Sequence, residues 1–443
     1  MIPVITDRRT FLRTAGQAGL VAPFFIRELL SKPPSGTLRL AAFGANGMAW
    51  STLDGIATHP KAKLICVAEV DASRLDRVKK KYPEARLYQD WREMLRKEKG
   101  QIDAASVATP DHMHAPQAVS AMRMGLPVYV QKPLAHDIHE VRTLVKMARE
   151  RKLATQMGIQ IHSWAQYKTA VQIVQSGAIG KVKEVHTWSE KKWGDTDRLP
   201  TTADPIPSGF NWNDWLGVAV TRPYLKEVYH PSNWRKRLDF GTATFGDMGC
   251  HILDPVFSAL KLGSPVSVRS EGAAPNGESW ALDSLIHYVF AGTEYTAEKT
   301  MPLTWYDGDR RPSAEIQALV GSFKFPGQGS IFIGTKGQML LPHIAMPILL
   351  PIRDFAGFPR PEAITTNHYW EFADAVLGYG TTSAGFDYAG PLTEAVLLGP
   401  LATRFPQTTL EWDGKKAAFR NSKEANAFLR RKYRDGWSVH GLA

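Results

Sequence analysis

Cysteine is scarce: two in 443 residues cannot supply a disulfide framework. Cys66 falls in a strand-like run and Cys250 in a helical one, so both read as unpaired thiols. Long apolar runs are missing as well. The mildly apolar stretch from Ala15 to Ile26 is broken by Gln17 and Pro23 and is too short to cross a bilayer, so no membrane insertion of the mature protein is expected. No internal repeat and no low-complexity tract occurs, which excludes solenoid and fibrous architectures. Acidic residues are in deficit, 43 against 54 Lys and Arg, for a formal net charge of +11. Such an excess suggests nucleic acid until it is mapped. Part of it sits in the first 32 residues on Arg8, Arg9, Arg13, Arg27 and Lys32, and Lys79 to Lys81 lie on what reads as a solvated helix face. No basic stripe alternates with exposed aromatics, so a nucleic-acid partner is not expected. A chain of this length exceeds what one core supports, and two domains are the natural expectation.

The order of elements gives those domains a shape. Residues 7–13, Asp-Arg-Arg-Thr-Phe-Leu-Arg, ahead of the apolar stretch resemble a twin-arginine export signal, so residues 1–36 read as signal and linker and the location as periplasmic or otherwise exported. A disordered arm on a cytoplasmic protein is the alternative. From Leu38 short apolar strands alternate with helical segments: Leu38–Phe43, Lys63–Glu69, Ile102–Ala108 and Pro127–Val130, with helices opening at Gly47, Ser73, Pro116 and Asp137. That βαβ rhythm predicts a doubly wound parallel sheet over residues 37–155. Its first turn, Gly44-Ala45-Asn46-Gly47-Met48-Ala49, approximates the dinucleotide fingerprint, with Asn46 in place of the second glycine. Glu69 ends the second strand, where a carboxylate accepts from an adenosine ribose hydroxyl and repels a 2′-phosphate; NAD is therefore expected in preference to NADP. Past residue 160 strand-like runs gather at Lys183–Trp193, Val266–Ser270, Ser284–Phe290, Thr293–Met301 and a hairpin from Ser330 to Leu341. Helices are expected at Trp164–Gln175, Tyr369–Leu377, Leu392–Thr403 and Lys423–Tyr433, the last opened by Asn421 and Glu424. Residues 156–443 thus read as an α+β domain on a large, mostly antiparallel open sheet.

Chemistry concentrates in Gly246-Asp247-Met248-Gly249-Cys250-His251-Ile252-Leu253-Asp254. In a helix Asp247, His251 and Asp254 share one face, and an imidazole beside a carboxylate is what a general base needs. A capping aspartate and a satisfied core histidine would look the same. Cys250 beside His251 invites a metal, yet helical spacing turns the thiol to another face. His112 and His114 invite one too, but either lining a cofactor site or capping the next helix accounts for them, and no metal is expected.

Three motifs then stand in order: Ala108-Thr109-Pro110-Asp111-His112-Met113-His114, Gln131-Lys132-Pro133, and the Gly246 stretch. Together they resemble the glucose-fructose oxidoreductase / inositol dehydrogenase / MocA (Gfo/Idh/MocA) family from Leu38 onward. Asn211 to Gly217, His230 to Arg235, Trp305 to Gly308 and Glu411 to Gly414 are similar to a branch often exported from bacteria. The resemblance implies a nicotinamide cofactor on the first domain, contacted by Gly44, Asn46, Gly47, Met48, Ala49, Glu69, Thr109, Pro110, His112, His114, Gln131 and Lys132. It implies a sugar, polyol or glycoside against the open face of the second sheet, and a homo-oligomer packed through that sheet. The family's catalytic lysine falls on Lys132, and its Asp-x-x-x-His pair on Asp247 and His251, with His251 as general base and Asp247 as its orienter or a substrate partner. Gln131 replaces the glutamate that precedes the family lysine, which removes a charge. Gln160 and His162, near the domain junction, and Tyr229 and Trp234, as sugar-stacking aromatics, are the further candidates for substrate contact; surface polarity and sheet core are their plainer readings. Three functions fit: an NAD(P)-dependent oxidoreductase acting on a sugar hydroxyl, its cofactor held tightly; an NAD-retaining enzyme that cleaves a glycoside by transient oxidation and elimination; and a non-catalytic sugar- or cofactor-binding protein.

Overall fold

A computed structural model describes residues 36–442. The twin-arginine stretch lies outside the described residues. Strands β1 (Leu38–Phe43), β2 (Ala62–Ala68), β3 (Arg86–Tyr88), β4 (Ala104–Val107), β5 (Val128–Gln131) and β6 (Thr155–Gly158) form a sheet in the order β3-β2-β1-β4-β5-β6, every pairing parallel. β1 and β4 are apolar almost throughout because helices cover both faces. On one face lies α1 (Met48–Ala57); on the other lie α2 (His114–Arg123) and α3 (Ile138–Arg151), the latter capped by Asp137 accepting from Glu140 N at 2.8 Å. The strand order reverses between β1 and β4, and ligands of such folds bind outside the carboxyl ends there. Gly44 and Thr109 follow those two ends.

After α4 (Ala165–Gln175) comes β7 (Val182–Ser189), then α5 (Ala243–Leu260), β8 (Pro265–Ser270), β9 (Leu285–Ala291), β10 (Thr300–Asp307), β11 (Gln328–Gly334), β12 (Gln338–Pro342) and β13 (Ile348–Leu350). Helices α6 (His368–Leu377) and α7 (Phe386–Ala402) and strands β14 (Thr409–Asp413) and β15 (Ala418–Phe419) follow. The nine-stranded sheet runs β13-β12-β11-β7-β10-β9-β8-β14-β15, antiparallel except where β7 meets β10. The expected pair of architectures, a doubly wound parallel sheet and a mostly antiparallel open sheet, is what the chain forms. Helix α6, far along the chain, returns to the first sheet: Phe372, Val376 and Leu377 join Leu38, Leu40 and Trp50 in one core.

Strand alternation gives the second sheet two unlike faces. Val185, Ile286, Tyr288, Phe290, Met301, Leu303 and Trp305 point to the face that carries α5 and α7; Glu184, His186, His287, Thr304 and Tyr306 point away from it. Phe245 fixes α5 there. Its ring stacks on Trp305 at 4.4 Å between centroids and fills space left by two glycines, Gly249 one turn along α5 and Gly399 on α7.

Three expected elements differ. The strand expected at Thr293–Met301 begins instead at Thr300, because Thr293 and Thr296 close a side-chain-bonded turn, with Thr293 N donating to Thr296 Oγ1 at 2.8 Å. Helix Lys423–Tyr433 stops at Asn426. Beyond it the chain docks on the start of α3, where Arg431 N donates to Asp137 and Tyr433 Oη to Glu140. Its cap is Ser422, whereas Asn421 bridges Glu411 N and Thr409 O.

A methyl group at residue 399 would stand 2.3 Å from Phe245 Cδ1 and 2.6 Å from Tyr288 Oη. Gly399→Ala should therefore lower stability by about 1–3 kcal/mol, the scale of overpacking, and thermal unfolding followed by circular dichroism will show it.

Candidate active site

The loop after β1 is shaped for a phosphate-bearing ligand. Gly44 has φ +94°, and a Cβ there would meet Ala49 Cβ at 2.8 Å and the Ala108 carbonyl oxygen at 3.1 Å, so the turn accepts only glycine. Gly47, at φ +57°, precedes α1 with open space before it. Asn46 and Gly47 thus lead into the ten-residue helix α1, which opens with Met48 and Ala49, the strand–glycine turn–helix arrangement that receives a pyrophosphate. Glu69 accepts from Ala45 N at 2.9 Å and from Asp71 N at 3.0 Å, which braces the loop. Each oxygen keeps a second lone pair for a ribose hydroxyl. Burial raises the Glu69 pKa against those two donors. Thr109 and Pro110 continue the same edge, with Thr109 Oγ1 donating to Gln117 at 2.7 Å. These groups fit a dinucleotide.

Gln131 and Lys132 end β5 and diverge. Gln131 is buried and donates to Thr52 Oγ1 on α1 at 2.9 Å. Lys132 crosses to the second domain, and its Nζ donates to the Asp247 carbonyl at 2.5 Å and to Asp247 Oδ1 at 2.7 Å. Asp247 is the centre of a larger cluster. Arg235 Nε donates to Oδ1 at 3.2 Å, Lys191 Nζ to Oδ2 at 3.0 Å, and the Trp193 indole to Oδ2 at 2.8 Å. Burial alone would raise this carboxyl's pKa, but Lys132, Arg235 and Lys191 hold it well below the ordinary carboxylate range.

His251, one turn along α5, makes no hydrogen bond to Asp247, whose oxygens are taken by three cations and an indole. The expected orienting role of Asp247 toward His251 is therefore corrected: charge outcompeted helical adjacency. His251 Nδ1 is buried without a partner among the described residues, and burial, reinforced by the Lys132 ammonium, keeps the ring's pKa well below 6.5. His343, after β12, lies 6.0 Å from it between ring centroids; burial, Lys191 and Lys132 bring its pKa down to about 4. Tyr167 Oη bonds His343 Nδ1 at 2.8 Å. Asp111, behind the cluster, accepts from Thr242 Oγ1 at 2.7 Å and is pushed up to about 7 by burial.

Several expected contacts fall elsewhere. His112 is sealed against Trp215 and Phe240, its Nε2 beside the Trp215 carbonyl at 3.1 Å. His114 bridges the carbonyls of Pro133 and Thr109 at 2.8 and 2.7 Å, tying the β4 and β5 turns together. His112 thus braces the first domain against the second, and His114 braces the first domain internally. Tyr229 and Trp234 are buried in an aromatic cluster with Trp212, Trp215 and Phe240, so neither presents a ring face to a sugar. Gln160 reaches toward Met48 and Tyr129, the cofactor side, and not toward Asp247. His162 pairs with Asp254 at 2.8 Å, and Tyr388 Oη donates to the same carboxylate. The candidate catalytic groups gather at the start of α5, on the helix-bearing face of the nine-stranded sheet. Sequence reasoning missed Lys191, Trp193, Arg235 and His343. Two signals were available: Arg235 closes the His230–Arg235 stretch, and the i, i+2 spacing of Lys191 and Trp193 just past β7 puts both on one side of the extended chain.

Residues 38–159 match a family model described as oxidoreductase family, NAD-binding Rossmann fold, and residues 166–293 match one described as oxidoreductase family, C-terminal alpha/beta domain. An inositol 2-dehydrogenase of Rubrobacter xylanophilus is 31% identical over 123 residues, 27% of this chain and 34% of that protein. A scyllo-inositol 2-dehydrogenase (NAD(+)) of Bacillus subtilis is 26% identical over 145 residues, 32% of this chain and 42% of that one. The matched stretches span less than half the length of these two relatives. Among solved structures, the WlbA dehydrogenase of Bordetella pertussis, in complex with NADH and UDP-GlcNAcA, superimposes with a TM-score of 0.60 at 16% identity, covering 85% of this chain and 99% of that one. The aldose-aldose oxidoreductase of Caulobacter crescentus, complexed with glycerol, gives 0.56 at 14% identity, covering 85% and 100%. At these identities the likeness is one of fold.

The His162–Asp254 pair has a pH signature. Burial disfavours the imidazolium, but the Asp254 carboxylate overrides it and holds the His162 pKa above the ordinary value of 6.5. A raised folded pKa gives stability that is fully present below 6.5 and lost as pH rises through the folded value. His162→Gln should therefore cost more stability at pH 6 than at pH 9, and thermal melts of parent and variant at both pH values will measure the difference.

Proposed function

Because the chain belongs to the Gfo/Idh/MocA oxidoreductase family, we propose that it oxidises or reduces a hydroxyl-bearing carbon of a sugar, polyol or glycoside, with Lys132 and His251 acting on that hydroxyl. NAD, held by Gly44 to Ala49, Glu69 and the β4 turn, supplies the hydride acceptor or donor. The observation that carries the reading is the reach of Lys132 from the carboxyl edge of the parallel sheet to Asp247 on α5, beside His251. Two of the three Lys132 N–H donors are taken by Asp247, leaving one for a substrate oxygen as negative charge grows on it. Asp247 fixes where that donor points. His251 is neutral at pH 7, so it is ready to accept the hydroxyl proton in the oxidative direction. Gln131, bonded to Thr52, leaves this machinery without the charge a glutamate would add.

The same reading keeps the cofactor bound between turnovers. The Arg8-Arg9 motif supports export, the twin-arginine route carries folded proteins, and an exported enzyme has little free nicotinamide to exchange with. The net reaction is then hydride exchange between two sugars or redox-neutral glycoside cleavage. The first is supported by the fold neighbour from Caulobacter crescentus, whose name pairs two aldoses. Assembly into a homo-oligomer through the helix-free face of the second sheet belongs to the same proposal.

One assay tests these points together: turnover of sugar substrates by desalted protein with no added cofactor. The parent should turn over. Lys132→Ala and His251→Ala should each lower kcat by about two to four powers of ten while keeping NAD. The parent's kcat in oxidation should show no acid limb near 6.5, because the His251 base form persists well below that value. Parent-like rates in either variant, or absolute dependence on external NAD, would count against the corresponding part.

A further inference from the structure

The charge around Asp247 does not balance. Lys132, Lys191 and Arg235 meet one carboxylate, and Asp111 behind them is half neutral near pH 7. Gln131 adds no negative charge. Arg235 is also held in a particular way. Its Nε, on the side of the guanidinium, is spent on Asp247. Its plane is fixed by Trp234 and Trp193, with Cζ 4.3 and 5.5 Å from the two ring centroids. Nη1 and Nη2, the end-on edge, donate to no described residue, and the side chain stays 26% exposed. Lys191 Nζ, 41% exposed, likewise bonds only Asp247 among the described residues and keeps two donors.

A guanidinium with its side occupied, its plane clamped and its fork open is a receptor for a planar carboxylate, read by two parallel N–H···O bonds. We propose that the substrate of this site carries a carboxylate, as a sugar acid such as a uronate does, with that carboxylate on the Arg235 fork and beside Lys191 while the reacting hydroxyl faces Lys132 and His251. Two observations support it: the surplus of positive charge, which a neutral sugar leaves unpaired, and the open Nη1/Nη2 fork of a guanidinium whose plane is already fixed. The inference rests on the substrate reading of the preceding section for its hydroxyl but not for its anion.

Binding is therefore measured apart from turnover. In full-length protein saturated with NAD, quenching of tryptophan fluorescence, to which Trp193 and Trp234 beside Arg235 contribute, is titrated with D-glucuronate and D-galacturonate, with D-glucose and D-galactose, and with glucose 6-phosphate. Each uronate should bind at least about tenfold tighter than its neutral counterpart, the scale of one charge-assisted hydrogen bond, and the preference should shrink as salt is raised. Arg235→Lys, which keeps the charge and loses the fork, should erase most of the preference, read as the ratio of uronate to neutral-sugar dissociation constants within the same variant. Equal binding of neutral and acidic sugars, stronger binding of the phosphate, or an undiminished preference in Arg235→Lys overturns the proposal. Oxidation is scored separately: a uronate bound but never oxidised spares this inference and sinks the hydroxyl chemistry, and a neutral sugar oxidised with uronates excluded does the reverse.

Discussion

One buried carboxylate, Asp247, collects a lysine from the first domain, a lysine from the end of β7, an arginine from the loop before α5 and an indole. Taking Asp247 and Lys132 out of water is costly, and removing the single anion would leave three cations facing each other. The cluster therefore makes the position of Lys132 relative to α5 all but compulsory. It also sets the chemistry around it, because burial, reinforced by the same cations that hold Asp247 ionised, keeps His251 and His343 neutral. Acid and base functions are separated by field within a few residues of one helix.

The helix that carries Asp247 has to be rigid for this to matter. Phe245, stacked on Trp305 and seated over Gly249 and Gly399, pins α5 to the sheet two residues before Asp247. On the other side His114 ties the β4 turn to the Lys132–Pro133 turn. Both halves of the site are thus supported by buried packing and hydrogen-bonding groups, which is how a constellation is kept to sub-ångström tolerance.

The architecture was legible because strand and helix periods alternate four times between Leu38 and the helix at Asp137 and the rhythm then ceases. Lys132, Asp247 and His251 were legible as motifs. What the sequence could not convey is competition. Asp247 and His251 do share a helix face, yet nothing local reveals that Lys191, Trp193 and Arg235 converge on the same carboxylate from separate segments. Tyr229 and Trp234 were chosen for residue type, and type does not distinguish a ring facing a cleft from one packed among Trp212, Trp215 and Phe240. His112 and His114 were similarly ambiguous until the carbonyls beside them were located. The error at Thr293–Met301 arose because β-branched threonines that build a turn look like strand residues.

The central claim is that Asp247 holds Lys132 in its working position. The direct measurement is kcat of Asp247→Asn, saturated with NAD and with any substrate the parent turns over. The amide keeps the shape but not the charge, so Lys132 keeps its bond to the main-chain carbonyl but loses its ion pair, and three cations lose their anion. The account predicts a fall of about a hundredfold or more with NAD still bound to the first domain. Turnover at the parent rate would contradict it.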